Sequence, residues 1–466
     1  MKRLRNRLLL LYTFIACCSV RSKATDTLRH LSKDEFVSIV KTYHPTVRQA
    51  GIGVQKAKAD ILKTRGVFDP VAEGRLDRKT FDGKLYYSYF NPQITIPTWY
   101  GIDIKAGVEE VIGDRVTSEA TLGKTSYVGI KFSSNSLLYD GRRAALQQAR
   151  LFKEQSEAER RLIINDVMYD AFSSYWNWVR EYRNYRIISE VIAVNEARLS
   201  FTRTEYEQGS RPAIDTTEAL AQLQTFYVQQ ENAKLAYLNA GLSLSNYLWT
   251  EDNIPVYWNE SIIPDTSELQ EWTTPSLNNL LSLATSHPKI DALSSKISIL
   301  EVDKKLKQQY FIPKLSLSAN MLNKGYTTDF TPTQTFLENN HKIGATLNIP
   351  LFYRDAIGGY RMAKLKIAET ELEQSNQLLQ IENKVRSYYN EVLALQRQID
   401  IYTEVYRNNQ KLFHGEQFRF RNGESSLFIL NSRENKMLET SLKLLELKMK
   451  LQKSYVGLLW AAGQLG

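Results

Sequence analysis

Two patterns of apolar residues alternate along this chain, one with helical period and one with strand period. From Leu378 through Ile381, Val385, Tyr388, Val392, Leu395, Ile399 and Tyr402 to Tyr406 the apolar spacing alternates between three and four. That is the 3.5-residue repeat of a coiled-coil seam. Met168, Ala171, Tyr175, Trp178, Tyr182 and Tyr185 repeat it earlier in the chain. Both stripes lie in proline-free runs, 142–208 and 356–421. At about 1.5 Å per residue, each run predicts a helix on the order of 100 Å long. A globular helical core would also bury such a stripe. Most positions outside it are polar or charged, however, and the helices exceed the ordinary globular length, so long coiled-coil packing is expected. Each run ends in a glycine break, "YEQGSRPAIDTTEA" (206–219) and "FRFRNGESSLFILN" (418–431), and a further helix follows, 213–248 and 426–461.

The second pattern has period two. "PKLSLSANML" (313–322) and "KIGATLNIPLF" (342–352) alternate apolar and polar residues around a turn-rich loop, which predicts an antiparallel pair. In the first half, 69–81 and 125–138 are the candidates for a matching pair. Between them the segment 86–112, with "QITIPTW" and "IDIKAGVEEVIG", reads as additional strands or a structured loop. The expectation is therefore about four strands. Half-buried strands of a soluble sheet alternate in the same way. In a membrane, four strands are too few to close a barrel, whose smallest forms have about eight, and an open sheet would leave unpaired edges in lipid. Several chains would have to share one barrel, and three chains of four strands give twelve.

The two patterns recur in one order, twice. "HPTVRQA" from His44 echoes "HPKIDAL" from His287. Leu137-Leu138-Tyr139, Ala149-Arg150-Leu151 and Gly209 echo Leu351-Phe352-Tyr353, Ala363-Lys364-Leu365 and Gly423, all at an offset of 214 residues. Each half runs short helix (32–43 and 276–286), His-Pro, second helix (45–65 and 288–310), strands, long helix, glycine break and returning helix. The expected organisation is a first repeat over 25–249, an extended proline-containing linker over 250–275, and a second repeat over 276–466. Strands fall at about 69–138 and 313–352, and helical hairpins at about 142–248 and 356–461.

Charge and cysteine usage change the picture mainly at the N-terminus. The formal charge of the 466 residues is +9, but Lys2, Arg3, Arg5, Arg7, Arg21 and Lys23 account for six of it, and no acid stands among the first 24 residues. A balance of +3 over the remainder gives no reason to expect a nucleic-acid partner. Residues 1–24 read as a signal peptide: basic "KRLRNR", the 13-residue apolar "LLLLYTFIACCSV", and small residues at Ser22 and Ala24. Cys17 or Cys18 could instead carry a lipid, since "FIAC" loosely resembles a lipoprotein box. These are the only two cysteines, so a mature chain starting after Ala24 has no disulfide and no thiolate metal site. No apolar run is long enough for a spanning helix.

Catalytic signatures are missing. The five histidines, His30, His44, His287, His341 and His414, form no metal-spacing pair. His44 and His287 precede prolines at matching places and read as helix-end residues. There is no GxSxG and no phosphate loop, and Gly358-Gly359 lacks the spacing for one. The chain is expected not to be an enzyme and to need no cofactor or metal. Tyr86, Tyr87, Tyr89, Trp99 and Tyr100 cluster near the strands. They could form an interfacial aromatic girdle, a sugar-binding surface or a core cluster.

The duplicated plan, the His-Pro pairs, the strand-to-helix passage "SLLYDGRRAALQQAR" and the two glycine turns resemble the TolC-type outer-membrane efflux channel family. "FRNGESSLFILNSRE" and "FDPVAEGRLDRKTFDGK" are similar to members from Bacteroidetes-type bacteria. The resemblance covers nearly the whole mature chain. It implies a mainly α fold with a membrane β-barrel portion, in which a homotrimer shares a 12-stranded barrel in outer-membrane lipid above a helical periplasmic tunnel. It implies a passive exit duct of a tripartite efflux or type I secretion system. The partners would be a periplasmic adaptor and an inner-membrane pump of RND, ABC or MFS type. A soluble periplasmic coiled-coil adaptor or scaffold is the alternative, although two matched hairpins are more than an adaptor needs.

Residue by residue, the resemblance implies periplasmic tips at Gly209, Ser210 and Arg211 and at Gly423, Glu424 and Ser425, where the adaptor docks. Asp215 matches an acidic position that helps close the entrance in some members. At the equivalent place after Gly423 this chain has Ile429, and three residues further Ser432, where some members carry aspartates.

Overall fold

The computed structural model of the chain describes residues 29–113, 121–265, 275–326 and 338–466, with the side chains of 136–138 left aside. The segment 1–24 expected to be a signal peptide, with Cys17 and Cys18, lies outside the described residues. In chain order the elements are β1 (Arg29–Leu31), α1 (Lys33–Tyr43), α2 (Pro45–Arg65), β2 (Val71–Phe81), β3 (Lys84–Pro97), β4 (Ile102–Ile112), β5 (Gly123–Ser133), α3 (Ser134–Tyr139), α4 (Gly141–Glu207) and α5 (Ala213–Ser245). Then follow β6 (Ile262–Pro264), α6 (Leu277–Thr285), α7 (Pro288–Gln308), β7 (Lys314–Lys324), β8 (His341–Asn348), α8 (Arg354–Arg421) and α9 (Leu427–Ala461). The two long helices, α4 and α8, have 67 and 68 residues.

The chain forms two compact units, and neither coincides with a sequence repeat, because each takes segments from both halves. One unit comprises residues up to His44, Asp170–Thr273 and Val392–Ser454. Its core interleaves the halves: Ile188, Ile192, Leu223 and Phe226 pack with Phe413, Phe420, Leu427 and Leu430. A second cluster is aromatic. Tyr175 and Trp178 are fully buried, Phe36 stacks on Tyr175 at 5.4 Å, and Trp258 meets Tyr237 edge-on at 5.1 Å. Residues 250–265 are therefore more than a spacer. Trp258 is buried in this cluster, and β6 pairs in parallel with β1. The stripe residues Met168, Ala171, Tyr175 and Trp178, and Ile381, Val385, Val392 and Leu395, are all buried, as their spacing requires.

The other unit comprises Pro45–Tyr169, Thr274–Glu391 and Tyr455–Gly466. Leu280, Ala284, Ile290, Ile381, Val385 and Leu458 form its helical core. His287 caps α7: its Nδ1 accepts the Lys289 N–H at 3.1 Å, and Pro288 opens the helix. Proline suits that place because its missing N–H would be unpaired there anyway. This unit also carries one antiparallel sheet in the order β2-β3-β4-β5-β7-β8.

Six strands, rather than about four, make up that sheet. The segment 86–112 resolves the difference, forming most of β3 and all of β4. The first-half segments expected to pair with each other do not touch in the ladder. β2 pairs with β3, whereas β5 lies between β4 and β7. The reversal from β2 to β3 is a two-residue turn, Asp82-Gly83, with φ of 51° and 71°. Asp-Gly with both φ positive is the tight hairpin turn whose twist matches the flanking strands. That dipeptide, between two alternating segments, was the available signal for the extra hairpin.

Candidate functional site

The two helix breaks are built alike. At the first, the Gly209 N–H donates to the Tyr206 carbonyl (2.9 Å) and the Ser210 N–H reaches back to Glu205 (2.8 Å). At the second, Gly423 donates to Phe420 (3.2 Å) and Glu424 to Arg419 (2.9 Å). This pair of bonds is the Schellman closure of a helix C-terminus, and it requires a left-handed residue. Gly209 and Gly423 have φ of 74° and 77°. The returning helices start differently. Pro212 precedes α5, while Ser426 accepts the Ile429 N–H through its hydroxyl at 3.4 Å.

Arg211 joins the two breaks. Its guanidinium lies 3.9 Å from the Phe420 ring centroid and donates to the Phe420 carbonyl at 3.1 Å. It also pairs with Glu205, and with Asp215 at 3.4 Å. Asp215 is thus a mostly buried carboxylate with an arginine of its own chain beside it. Ser425 donates to Glu416, and Arg419 donates to the Glu424 carbonyl at 3.3 Å. The six candidate tip residues and Asp215 all fall in the first unit described above.

Beneath these turns lies a polar cluster that sequence reading missed. Glu434 and Arg198 are 2% and 7% exposed and form a bidentate pair, both contacts 2.7 Å. Asn195 donates to Glu434 (3.1 Å), Arg198 donates to Asn431 (3.3 Å), and Asn431 donates to Glu218 (3.2 Å). A forked guanidinium meeting a carboxylate on two parallel bonds is the strongest geometry for such a pair. Exposed apolar residues were missed as well. Ile214 and Phe428, both largely exposed, stand five residues after Gly209 and Gly423. The 214-residue offset that pairs the glycines pairs these two also, so the signal was present.

The sheet has two unlike faces. Residues opposite one another in an antiparallel ladder point to the same side. By register, one side carries Leu76, Phe90, Ile94, Ile104, Val128, Ile130, Leu317, Met321, Ile343 and Leu347, all exposed in the chain. The other carries Glu73, Arg75, Asp77, Lys79, Asn91, Gln93, Asp103, Lys105, Lys131, Ser318, Asn320, Lys342 and Thr346. An apolar outer and a polar inner face at strand lengths of 8–14 residues suit a transmembrane barrel wall. The aromatic cluster divides between the ends of the sheet. Trp99 and Tyr100 fall at the β3–β4 turn, and Tyr86 and Tyr87 near the opposite end of β3. Trp99 packs on Phe68 at 5.1 Å, just ahead of β2. Aromatic residues at both ends of the strands are what two membrane–water interfaces favour.

Among the described residues no group of His, Cys, Asp or Glu could hold a metal, and no helix is long and apolar enough to cross a membrane.

Duplicated helical hairpins and a sheet with one apolar and one polar face can be compared with proteins of known family and structure. Residues 281–464 match the family model "Outer membrane efflux protein". No curated protein matches the chain. Solved structures match over 92% of it: the CmeC outer membrane channel of Campylobacter jejuni (15% identity, 85% of that chain, TM-score 0.64), VceC of Vibrio cholerae (14%, 95%, 0.65) and the MtrE outer membrane channel of Neisseria gonorrhoeae (12%, 89%, 0.67). The family match thus falls within the second repeat. Over 92% of its length the chain shares the fold of these channel structures.

Proposed function

We propose that the chain is the passive outer-membrane exit duct of a tripartite efflux or secretion system. It would act as a homotrimer, receiving substrate from an inner-membrane pump through a periplasmic adaptor. The observation that carries this reading is the sheet. It exposes a broad apolar band on one face, with Arg78, Glu110 and Lys124 toward one end of it, and among the described residues it ends in two edge strands, a surface that lipid and further strands would stabilise. A soluble adaptor or scaffold would have to leave that face in water, where apolar patches of this extent are rare.

On this reading the glycine turns with Ser210, Arg211, Glu424 and Ser425 are the periplasmic tips. The exposed Ile214 and Phe428 beside them supply apolar contact for the adaptor. Asp215 is the candidate constriction residue, held by Arg211 rather than facing its symmetry mates as a bare acid. With Ile429 at the matching place, the entrance would close through these ion-paired and apolar contacts and not through a ring of carboxylates. No residue of the chain is assigned a chemical step, and export energy comes from the pump.

The test is fractionation of cells producing the full chain, with export measured in a strain lacking it. Recovery in the outer membrane as a trimer, with loss of export on deletion, is expected. A mature protein that stays soluble and monomeric without detergent would overturn the reading.

A further inference from the structure

We infer that this chain contributes six strands, not four, to the shared barrel. The free edge of β8 in one copy pairs antiparallel with the free edge of β2 in the next, and three copies close eighteen strands. The inference rests on the proposed trimeric channel, and it concerns what the hairpin β2–β3 does in it.

Strand direction permits the closure. Every neighbouring pair in β2-β3-β4-β5-β7-β8 is antiparallel, so with six strands the two edges run in opposite directions. β8 of one copy therefore meets β2 of the next in the antiparallel sense, and the ring contains no parallel seam. Six strands from a single copy are too few for a closed membrane barrel, and open edges in lipid would leave backbone groups unpaired. A second copy supplies the missing ladder.

The added hairpin shares the sidedness of the rest. Ala72, Leu76, Phe90 and Ile94 continue the apolar band, which gives way to Arg78 and Ser88 toward the Asp82-Gly83 turn, and Glu73, Arg75, Asp77, Asn91 and Gln93 continue the polar face. A hairpin folded back outside the wall would have no reason to keep both in phase.

Side chains also bind β3 and β2 to the remainder. On the polar face the Tyr127 hydroxyl of β5 crosses over Gly107 of β4. It lies 3.0 Å from Asn91 Oδ1 and 3.1 Å from Gln93 Oε1 on β3. Gln93 in turn donates to Glu73 of β2 at 2.8 Å. Gly107 leaves the room, since a Cβ there would stand 2.8 Å from the Tyr127 oxygen and 2.8 Å from the Pro92 carbonyl. Tyr127 is 6% exposed. Pulling β3 off β4 to make a four-stranded contribution would break the β3–β4 ladder and strand a buried hydroxyl.

The consequence is bore. At about 4.8 Å between strands and a tilt near 40°, twelve strands enclose a barrel on the order of 24 Å across and eighteen one of about 36 Å. The barrel would be about 1.5-fold wider than a twelve-stranded one.

Cysteine cross-linking tests this in the full-length chain, in a background with Cys17 and Cys18 replaced if they persist after export. One cysteine is placed on β2 (at Glu73, Arg75, Asp77 or Lys79) and one on β8 (at Lys342, Thr346 or Asn348), in all combinations. The companion series pairs the same β8 positions with Lys105 or Asp103 of β4. Within one chain β8 lies about 24 Å from β2 and about 14 Å from β4, beyond disulfide reach, so any bond joins two copies. Expected is oxidation of some β2–β8 pairs to covalent dimers and cyclic trimers, with none from β4–β8. Cross-linking through β4–β8 would overturn the inference and leave the channel reading intact, since the wall would then hold four strands per copy. Cyclic dimers as the end product, or no β2–β8 bond in a membrane-inserted trimer, would overturn it too. Failure to find a trimer in the outer membrane would instead overturn the channel reading on which it rests.

Discussion

The buried pair Arg198–Glu434 gives the sharpest test of how the unit with the two glycine breaks is held together. Replacing Glu434 with leucine removes both 2.7 Å contacts and leaves the guanidinium, 7% exposed, without a carboxylate. Breaking such a pair from one side costs about 3–5 kcal/mol. The side-chain oxygens of Asn195 and Asn431 remain within reach of Arg198, at 3.0 and 3.3 Å, which places the expected loss near the lower end. About 3 kcal/mol corresponds to roughly 150-fold in an equilibrium constant. Amide hydrogen exchange in the full-length protein should therefore accelerate by about that factor across 192–203 and 427–438, where opening is local. The double replacement Arg198→Met with Glu434→Leu removes both charges together and should recover most of the protection. If Glu434→Leu leaves exchange at the wild-type rate, or the double variant exchanges as fast as the single one, the reasoning that desolvation governs this pair is wrong.

Three further outcomes follow from the geometry. A Cβ at Gly423 meets no atom within 4 Å, so Gly423→Ala should cost about 1–2 kcal/mol through its positive φ alone, and under the proposed channel function Gly423→Trp should insert normally yet lower export. Membrane recovery and export, measured with the adaptor at native levels, check this. His287 is pulled below its ordinary pKa of 6.5 chiefly by burial, against the opposing pull of Asp166, the Trp460 carbonyl and Asp291, with Lys384 adding to the depression. Its neutral Nδ1 caps α7, so its stabilising contribution is complete above about pH 6.5 and is lost as pH falls through the lower folded value. Thermal midpoints at pH 7.5 and pH 5 should differ less in His287→Gln than in the wild type. Finally, a Cβ at Gly241 would lie 2.3 Å from the Trp258 ring, so Gly241→Leu should cost about 1–3 kcal/mol by overpacking and perturb tryptophan fluorescence.

Much of the architecture was legible because it is written in local pattern. Backbone periodicity is a property of neighbouring residues, so the stripes at 378–406 and 168–185 marked the helices and their buried positions, and alternation at 313–322 and 342–352 marked strands. The glycines at 209 and 423 were legible for a steric reason: helix closure needs a positive φ, and only glycine adopts it cheaply. The His-Pro pairs marked helix ends for a similar reason.

The strand count was less legible. The Asp82-Gly83 turn was local and readable, but whether 84–112 paired into the sheet depended on partners elsewhere in the chain. Only the tertiary structure set β5 against β7, with Tyr127 opposite Leu322, and only it let the Tyr127 hydroxyl reach over Gly107 to β3. The same holds for Arg198 and Glu434, 236 residues apart, each an ordinary charge on a polar helix until the fold removes water from both. Sequence alone therefore determined the long helices, their duplication and their glycine turns, because those follow from backbone sterics and short-range spacing. Strand partners, the mixing of both halves in each compact unit, and the buried ion pair waited for the tertiary structure. Register and desolvation belong to residues that meet only after the chain has folded.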